Sequence, residues 1–283
     1  MAEPAAEQPV RPDFEWVRRL EELFETTPVA HCLEDALATL AGCSAPPGGT
    51  ALNLGALIYV VARQRQLWLA EGMLERVGLP LSFMDFALAI YVYTLERPQV
   101  YKLVNWSMID PSRRGAGHDD DAEISADLRA CAAYIKFLDT ALTQLPDRFI
   151  FRGRVQRGVK WVFPTPARHS PETYFRAGAM LVWYEFKSTS LNREVMNHPQ
   201  FCGHDPGPRT IFTIDAVRGY RITDFSFYGE EEGEVLFRPM TALRVDSVVR
   251  NIVDPFERGS IERSGFPDQV VGMRRPAATP PPD

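Results

Sequence analysis

Cysteine is scarce in this sequence. Its 283 residues include 4 cysteines, and no two of them are spaced as a CxxC pair. Structural zinc sites and disulfide frameworks are built from closely spaced cysteines, so neither kind of site is expected. We interpret all four as small buried hydrophobic side chains: Cys32, Cys43, Cys131 and Cys202.

Positive charge and long apolar runs are also in short supply. The formal net charge is −6 at pH 7, which provides no bulk attraction for a nucleic acid. The longest apolar segment, around Phe86 to Val92, is far too short to span a bilayer. Residues Met1 to Pro9 lack a basic segment followed by an apolar one, so they do not resemble a secretory signal. We therefore expect a cytoplasmic protein with no nucleic-acid partner and no membrane span.

Histidine is the third scarce residue type. The sequence has 5 histidines, and none stands near a serine or cysteine in a recognisable catalytic frame, so Ser/His/Asp triads and His-based metal sites are not indicated. A GxGxxG turn after a strand and a Walker loop are both absent, which argues against the ordinary dinucleotide and ATP folds. The run Asp119–Asp121 lacks the spaced ligands and the distal Glu of a calcium loop, so we expect no metal.

The chain divides into a helical part and a strand-rich part. Residues 13–146 carry apolar side chains at helical spacing and include a long predicted helix over Ala51–Arg76. After residue 146, short apolar and aromatic runs separated by Gly and Pro predict strands. Helices followed by strands, without βαβ alternation, predict an α+β fold. We place the strand-rich core at 147–258, a disordered tail at 1–12 and a partly disordered tail at 259–283.

The strand-rich part is predicted to contain seven strands. Each run is short, half-buried in pattern and bounded by turn-forming residues. The predicted strands are Arg148–Arg152, Val159–Phe163, Ala179–Lys187, Arg209–Asp215, Arg221–Phe227, Val235–Phe237 and Thr241–Ile252.

A dense acidic stretch precedes one of these strands. Within Gly229–Pro239, four glutamates lie in five positions and a short apolar strand follows directly. Side chains alternate along a strand, so Glu232, Glu234 and Leu236 share one face if the extended geometry starts by Glu232. Like charges this close repel each other and shift each other's pKa. Taken alone, the stretch fits a solvated acidic turn.

Two other strand ends carry polar side chains that could bind a ligand. Arg152 and Gly153 end the first predicted strand; Arg can hold a phosphate through two parallel bonds, and Gly lets a ligand approach the backbone. Ser188, Thr189 and Ser190 close a later apolar strand, where their hydroxyls can fix a neighbouring carboxylate. Alone, the first pair fits an edge-strand Arg before a turn, and the three hydroxyl residues fit a turn.

In this order, the three features resemble the arginine-specific mono-ADP-ribosyltransferase family. This is the R-S-E class, which includes vertebrate ecto-enzymes and bacterial toxins. The flanking residues also match, since Phe186 precedes Ser-Thr-Ser and Ser226-Phe227 precedes the glutamates. Val235-Leu236 and then Pro239 follow them. The resemblance covers Phe149 to about Val253, and it implies a mixed, mainly antiparallel two-sheet β core with a helical N-terminal layer.

The resemblance implies an NAD-binding role for the first two motifs. Arg152 would hold an NAD phosphate, and the Gly153 backbone would lie near the nicotinamide carboxamide. Ser188 would hydrogen-bond the catalytic glutamate and hold it in place. Thr189 and Ser190 would belong to the same NAD-binding segment.

The resemblance assigns separate roles to two of the glutamates. Glu234 would accept a hydrogen bond from the ribose 2′-hydroxyl and stabilise the oxocarbenium ion that forms as nicotinamide leaves. Glu232 would position the acceptor guanidinium and help to deprotonate it, because its very high pKa makes it a poor nucleophile. Val235-Leu236 mark Glu234 as the last carboxylate of the motif, and Gly233 adds backbone freedom between the two.

Aromatic residues complete the implied site. Phe227 or Tyr228 stands where the family uses an aromatic side chain in its substrate-recognition loop. Phe201 is a candidate stacking residue for the nicotinamide. The likeness extends into the helical part through Tyr93, Tyr101 and Asn105.

The implied activity is the transfer of ADP-ribose from NAD, the co-substrate, to an exposed arginine of a protein acceptor. Two alternatives stay open: an NAD glycohydrolase that uses water at the same site, and an NAD-binding module with little or no activity. Secreted vertebrate members carry a signal peptide, disulfides and often a lipid anchor. None of these is legible here, which favours an enzyme that works inside a cell or is delivered by another component.

Overall fold

The computed structural model describes residues 14–45, 50–109, 124–159, 178–197, 210–250 and 269–274. Within these residues every α-helix precedes residue 146 and every strand follows it. The predicted α+β class is therefore confirmed.

Seven α-helices form the first part of the described chain. Asn53 and Ser125 cap two of them, because their side chains accept hydrogen bonds from the N–H groups of Ala56 and Leu128. The helices are α1 (Phe14–Thr26), α2 (Leu33–Ala38), α3 (Leu54–Ala70), α4 (Met73–Arg76), α5 (Met84–Thr94), α6 (Val100–Met108) and α7 (Ala126–Gln144).

The long helix predicted over Ala51–Arg76 is in fact two helices. α3 ends at Ala70 and α4 begins at Met73. Gly72 lies between them with a φ of 58°, a left-handed conformation that glycine adopts without steric cost and that stops a helix.

α5 lies inside the helical part. Every side chain from Ala87 to Thr94 is buried, as expected for a helix that is apolar on all sides. The ring of Phe86 lies 4.9 Å from that of Phe137 in α7. Tyr134, also in α7, donates a hydrogen bond to the Ala89 carbonyl at 2.8 Å. These contacts hold α5 in place and so fix the position of its C-terminal residues.

The seven strands of the described residues are hydrogen-bonded continuously in the order β1-β3-β5-β4-β7-β6-β2, and β1 also pairs with β4. This closed pairing divides them into two joined sheets. One sheet has the order β2-β6-β7-β4-β1, the other is the pair β3–β5, and the two are joined where β1 meets β3 and β4 meets β5. Among the described strands, β4 and β7 run parallel and the other pairs are antiparallel. The strands are β1 (Ile150–Val159), β2 (Met180–Trp183), β3 (Lys187–Ser190), β4 (Thr210–Arg221), β5 (Glu234–Phe237), β6 (Thr241–Arg250) and β7 (Gln269–Arg274).

β1 and β4 are longer than the predicted runs. The predicted strand Arg148–Arg152 continues through Gly153, where the pairing between β1 and β4 shifts register. The predicted strand Arg209–Asp215 continues to Arg221 as β4, whereas the strand predicted over Arg221–Phe227 is wrong, because the chain turns directly after Arg221. Glycines that interrupt an apolar pattern resemble strand ends, but a bulge can absorb them within one strand.

The strand region also extends past the boundary predicted at residue 258. β7 lies between β4 and β6, so the predicted tail 259–283 contributes a strand to the larger sheet. Its apolar run is too short to be recognised by pattern, and its strand geometry depends on the two neighbouring strands. The predicted strand Ala179–Lys187 is instead divided into β2 and the start of β3.

One hydrophobic cluster joins the helices to the strands. It contains side chains of α5 and α7 together with Phe186 and Leu236 from the strand part. Val235 and Phe237 belong to a second cluster inside the strand part. Because side chains alternate along β5, Glu234 shares the face of Leu236 and points toward the helices.

None of the helices in the described part of the chain has the length and apolar character needed to cross a membrane. Cys131 is buried as expected, whereas Cys32 and Cys43 are partly exposed; all three are free thiols. The Sγ atoms of Cys43 and Cys131 lie 3.7 Å apart. Cys202 and the predicted tail 1–12 lie outside the described residues, and the cytoplasmic location stays a prediction.

Candidate active site

Glu234 begins β5 and only 4% of its surface is exposed. The hydroxyl of Ser188 donates to its Oε1 at 2.6 Å, and the hydroxyl of Ser226 donates to its Oε2 at 2.8 Å. Burial raises the pKa of Glu234, while the two serine hydrogen bonds and the charge of Arg157 oppose that rise. Each carboxylate oxygen is therefore held in a defined position.

The other two hydroxyl side chains of β3 bind the backbone of the glutamate segment. Thr189 Oγ1 donates to the Val235 carbonyl at 2.7 Å, and Ser190 Oγ donates to the Glu232 carbonyl. Thr189 and Ser190 are each 1% exposed. Their hydroxyls are thus engaged within the protein, and β3 fastens the glutamate segment along its whole length.

Glu232 lies in the turn before β5 and not on the strand. Its backbone is helical, and Gly233 after it has a φ of 52°, so the face predicted to include Glu232 begins only at Glu234. The Glu232 side chain is 8% exposed. Burial and then the negative charges of Glu234, Glu96 and Glu231 raise the pKa of Glu232 to about 8.

Arg157 of β1 lies beside these carboxylates. Its Nη1 donates to the Ser188 carbonyl at 2.6 Å. Burial lowers the pKa of Arg157, and the neighbouring acidic groups Tyr93, Glu185 and Glu234 oppose that change. A guanidinium stays protonated in proteins, so a fixed positive charge faces the buried glutamate.

The structure does not bring Arg152 and Gly153 to this group. The Arg152 side chain is exposed, and Gly153 lies at the bulge of β1 with a φ of 142°. β1 meets β3 at the pair Gln156–Ser190, which places a second Arg-Gly pair, Arg157-Gly158, next to β3. Arg152 precedes Arg157 by five residues, or about 16 Å of extended strand. The register of β1 therefore places Arg157-Gly158, and not Arg152-Gly153, next to β3. The motif alone does not show this register.

Ser226 is a site residue without a predicted role. In the sequence it is only part of the Ser226-Phe227 segment that precedes the glutamates. In the fold its hydroxyl donates to Glu234 and accepts a hydrogen bond from the Tyr228 N–H at 3.3 Å. The turn that follows β4 makes this contact, and residue order alone does not predict it.

Tyr93 of α5 brings the helical part to the site. Its hydroxyl donates to the Phe186 carbonyl at 3.3 Å and accepts from Asn105 Nδ2 at 2.9 Å. Burial raises the pKa of Tyr93, and the charge of Glu234 adds to that rise. Asn105 Oδ1 is buried and has no hydrogen-bond partner among the residues that the structure describes.

A family model described as NAD:arginine ADP-ribosyltransferase matches residues 57–252. The chain belongs to this family. The match covers more than half of the sequence and includes both the helical part and the strands that carry Arg157, Ser188 and Glu234. It confirms the resemblance inferred from the motifs.

Two solved bacterial structures share the fold. The type III effector XopAI from Xanthomonas axonopodis pv. citri is 15% identical, with 95% of each chain covered and a TM-score of 0.55. The ADP-ribosyltransferase HopU1 of Pseudomonas syringae pv. Tomato DC3000 is 17% identical, with 88% of this chain and 99% of that chain covered and a TM-score of 0.55. No curated protein sequence matches the chain.

Family membership establishes the activity. The protein is an NAD:arginine ADP-ribosyltransferase, which uses NAD as co-substrate and transfers its ADP-ribose to arginine. The glycohydrolase and the inactive NAD-binding module are not favoured by this match.

The predicted substrate-recognition loop of this ADP-ribosyltransferase lies at the end of α5. Phe227 is 49% exposed, and its ring lies 6.2 Å from that of Tyr91 and 5.2 Å from that of Tyr228. A partly exposed aromatic pair thus directly follows Ser226, whose hydroxyl holds Glu234. Phe201, the predicted nicotinamide-stacking residue, lies outside the described residues.

Proposed function

We propose that Glu234, Glu232, Ser188 and Arg157 carry out ADP-ribose transfer from NAD to an exposed arginine of a protein acceptor. The observation that supports this assignment is the environment of Glu234, which is buried, held at each oxygen by a serine hydroxyl and faced by a guanidinium. A carboxylate fixed in this way can stabilise a developing positive charge without first reorganising.

Glu234 acts on the nicotinamide-bearing ribose of NAD. The bond between C1′ and the nicotinamide nitrogen breaks, its electron pair leaves with nicotinamide, and positive charge spreads over C1′ and the ring oxygen. Glu234 accepts a hydrogen bond from the 2′-hydroxyl and stabilises that charge. A carboxylate has about four lone-pair sites, so the two serine bonds leave room for the ribose.

Arg157 and Gly158 take the NAD-binding role first assigned to Arg152 and Gly153. One N–H of Arg157 is engaged by the Ser188 carbonyl, which orients the guanidinium, and its remaining N–H groups can bind a phosphate of NAD. Gly158 is buried beside β3, where its backbone can approach a ligand closely.

Glu232 acts as the base for the acceptor. A guanidinium nitrogen attacks C1′ only after it loses a proton, and that proton passes to Glu232. A general base works best when its pKa lies near the working pH, and a pKa raised to about 8 by burial and neighbouring carboxylates meets this condition.

The remaining predicted residues support these groups. Thr189 and Ser190 hold the glutamate segment through backbone carbonyls, and we assign them this role in place of direct NAD contact. Phe227 and Tyr228 receive the arginine-bearing segment of the acceptor. The helices from residue 14 to 144 and the strand part act as one catalytic unit, because a single hydrophobic cluster joins them.

The test is incubation with NAD labelled in its adenosine half and agmatine, a small guanidine acceptor. The wild-type protein should release nicotinamide and label agmatine, and Glu234→Gln should lower both by about 10²- to 10³-fold, as for loss of a transition-state electrostatic partner. Glu230→Gln, an exposed residue of the same acidic run, is the matched control and should behave as wild type. Nicotinamide release without labelled agmatine would instead support the glycohydrolase.

A further inference from the structure

The acceptor loop, defined here as residues 222–233, is tied to the helical part. The backbone N–H of Phe227 donates to Thr94 Oγ1 at 2.8 Å, and the Tyr228 hydroxyl donates to Glu96 Oε2 at 2.8 Å. These contacts join residues 133 and 132 positions apart in the sequence. Thr94 ends α5 and Glu96 follows it closely, so one short segment of the helical part holds both aromatic residues.

Thr94 fixes the backbone of the loop. It is 6% exposed, and its hydroxyl proton is directed to the Tyr91 carbonyl at 2.9 Å. The hydroxyl oxygen is therefore oriented to accept from the N–H of Phe227. The Phe227 backbone is thereby anchored while its ring remains about half exposed at the surface.

Glu96 lies at the edge of the loop that carries the acceptor base. It accepts hydrogen bonds from the Tyr228 hydroxyl and from Gln99 Nε2, the latter at 3.2 Å. Its negative charge follows burial and Glu234 among the causes that raise the pKa of Glu232. Burial and then the charge of Glu96 raise the pKa of Tyr101, to which Glu232 also contributes. Gln99 Nε2 also donates to the Tyr101 hydroxyl at 3.4 Å, so Glu96 lies close to Tyr101. Tyr228 connects Glu96 to Ser226, which holds Glu234, so Glu96 lies at the edge of the loop that carries Glu232.

We propose that Glu96 is a specificity-determining residue for the acceptor. In this proposal Glu96 and Glu232 together bind the arginine guanidinium, and Glu96 also holds Tyr228 in place. The proposal rests on the role proposed above for Glu232. A guanidinium presents five N–H donors in a rigid planar fork and can bond carboxylates along two of its edges. A lysine ammonium is a compact charge without that fork, so the paired carboxylates select arginine.

The test compares Glu96→Gln with wild type in agmatine labelling. Glutamine keeps the size and an oxygen that can accept from Tyr228, but it removes the charge. Loss of one charge-assisted contact should raise the KM for agmatine about tenfold and lower the ratio of labelled agmatine to free ADP-ribose by a similar factor. Tyr228→Phe, which keeps the ring and loses the hydroxyl, should raise the KM by a smaller factor.

Glu75→Gln is the matched control, because Glu75 is an exposed glutamate of α4 in the same helical part. It should leave both readouts as in wild type. An unchanged KM for agmatine in Glu96→Gln would overturn the proposal. Equal losses of hydrolysis and transfer in Glu96→Gln would also overturn it, since they would show that Glu96 supports NAD cleavage or folding and not the acceptor.

A pH profile separates an electrostatic role from a structural one. The charged groups that face Glu232 are Glu234 in β5, Glu96 after α5 and Glu231 in the loop itself. Removing the charge of Glu96 takes away one cause of the raised pKa, so the rise of transfer with pH should begin at lower pH in Glu96→Gln. If the pH profile of Glu96→Gln is unshifted, the charge of Glu96 does not act on Glu232, and the proposal that the two carboxylates bind one guanidinium is wrong.

The variant Glu232→Gln distinguishes failure of this inference from failure of the proposed function. If Glu232→Gln lowers transfer and Glu96→Gln does not, the base is correctly assigned and the two-carboxylate cradle is wrong. If Glu232→Gln has no effect on transfer, the proposed role of Glu232 fails first.

Discussion

The Ser188 hydroxyl donates to Glu234 Oε1 at 2.6 Å across 46 residues of sequence. The two residues are diagonal neighbours, because the register of β3 and β5 pairs Ser188 with Leu236 and Ser190 with Glu234. Diagonal side chains on one sheet face lie within contact distance. The pairing of β3 with β5 therefore brings the Glu234 carboxylate within reach of Ser188, and the hydrogen bond fixes its orientation.

The two serines that hold Glu234 should affect the pH dependence of NAD cleavage. Both hydrogen bonds lower the pKa of Glu234, so Ser188→Ala and Ser226→Ala each raise it and delay formation of the carboxylate as pH increases. The rising limb of nicotinamide release should move to higher pH, and the rate should fall about 10- to 100-fold for loss of a hydrogen bond to a charged group. Ser82→Ala, an exposed serine, is the control. If the pH profile of nicotinamide release is unshifted in Ser226→Ala, Ser226 does not influence the Glu234 carboxylate.

The two arginines of β1 should respond differently to the same change. Lysine keeps the charge but loses the bidentate fork, so Arg157→Lys should raise the KM for NAD about tenfold or more. Arg152→Lys should leave the KM for NAD within about twofold, as for an exposed residue away from the site. Steady-state nicotinamide release measures both. The reverse ranking would restore Arg152 as the NAD-binding arginine.

Glu232 should give transfer a pH dependence that hydrolysis lacks. With its pKa raised to about 8, the carboxylate forms only as the pH passes through that value, so agmatine labelling should rise there. Glu232→Gln should abolish this rise and lower labelling more than nicotinamide release. Rates of both products from one reaction series provide the measurement. Identical pH profiles for the two products would argue against Glu232 as the base.

The raised pKa of Glu232 also predicts an effect on stability. The folded protein holds this proton more tightly than the unfolded chain between the ordinary value of 4.5 and about 8. The stabilisation that this proton gives to the folded state is therefore complete below pH 4.5, and it declines as the pH rises from 4.5 to about 8. Glu232→Gln should raise the Tm more at about pH 9 than at about pH 5, because it removes a buried charge present only at the higher pH. Thermal unfolding at both pH values is the check.

Gly233 should be required between the two glutamates. Its φ of 52° is left-handed, so Gly233→Ala should destabilise the fold by about 1–2 kcal/mol and lower agmatine labelling by displacing Glu232. Gly42→Ala is the matched control, because its backbone is not left-handed and an added Cβ would contact nothing within 4 Å. Equal unfolding free energies for the two variants would show that alanine at position 233 introduces no backbone strain.

Much of the fold class was predictable because it depends on local patterns. Helical spacing before residue 146 and short apolar runs after it correctly predict an α+β arrangement. The wrong element boundaries occur at glycines, because the same residue adopts different backbone conformations in different surroundings. Gly72 ends a helix in a left-handed conformation, whereas Gly153 lies within a strand at a bulge. The sequence pattern does not predict β7, because its extended geometry depends on pairing with β4 and β6.

The sequence by itself determined the family, since the order of the Arg-Gly, Ser-Thr-Ser and Glu-x-Glu motifs and their flanks is a local property of the chain. It also pointed to the Ser188–Glu234 pair, which one strand pairing brings together. Only the tertiary structure decided that Arg157 and not Arg152 lies beside that pair, and that Glu96 binds Tyr228 in the loop that carries Glu232. The reason is that strand register and helix-to-loop contacts are set by pairing and packing between distant segments, and a motif does not record them.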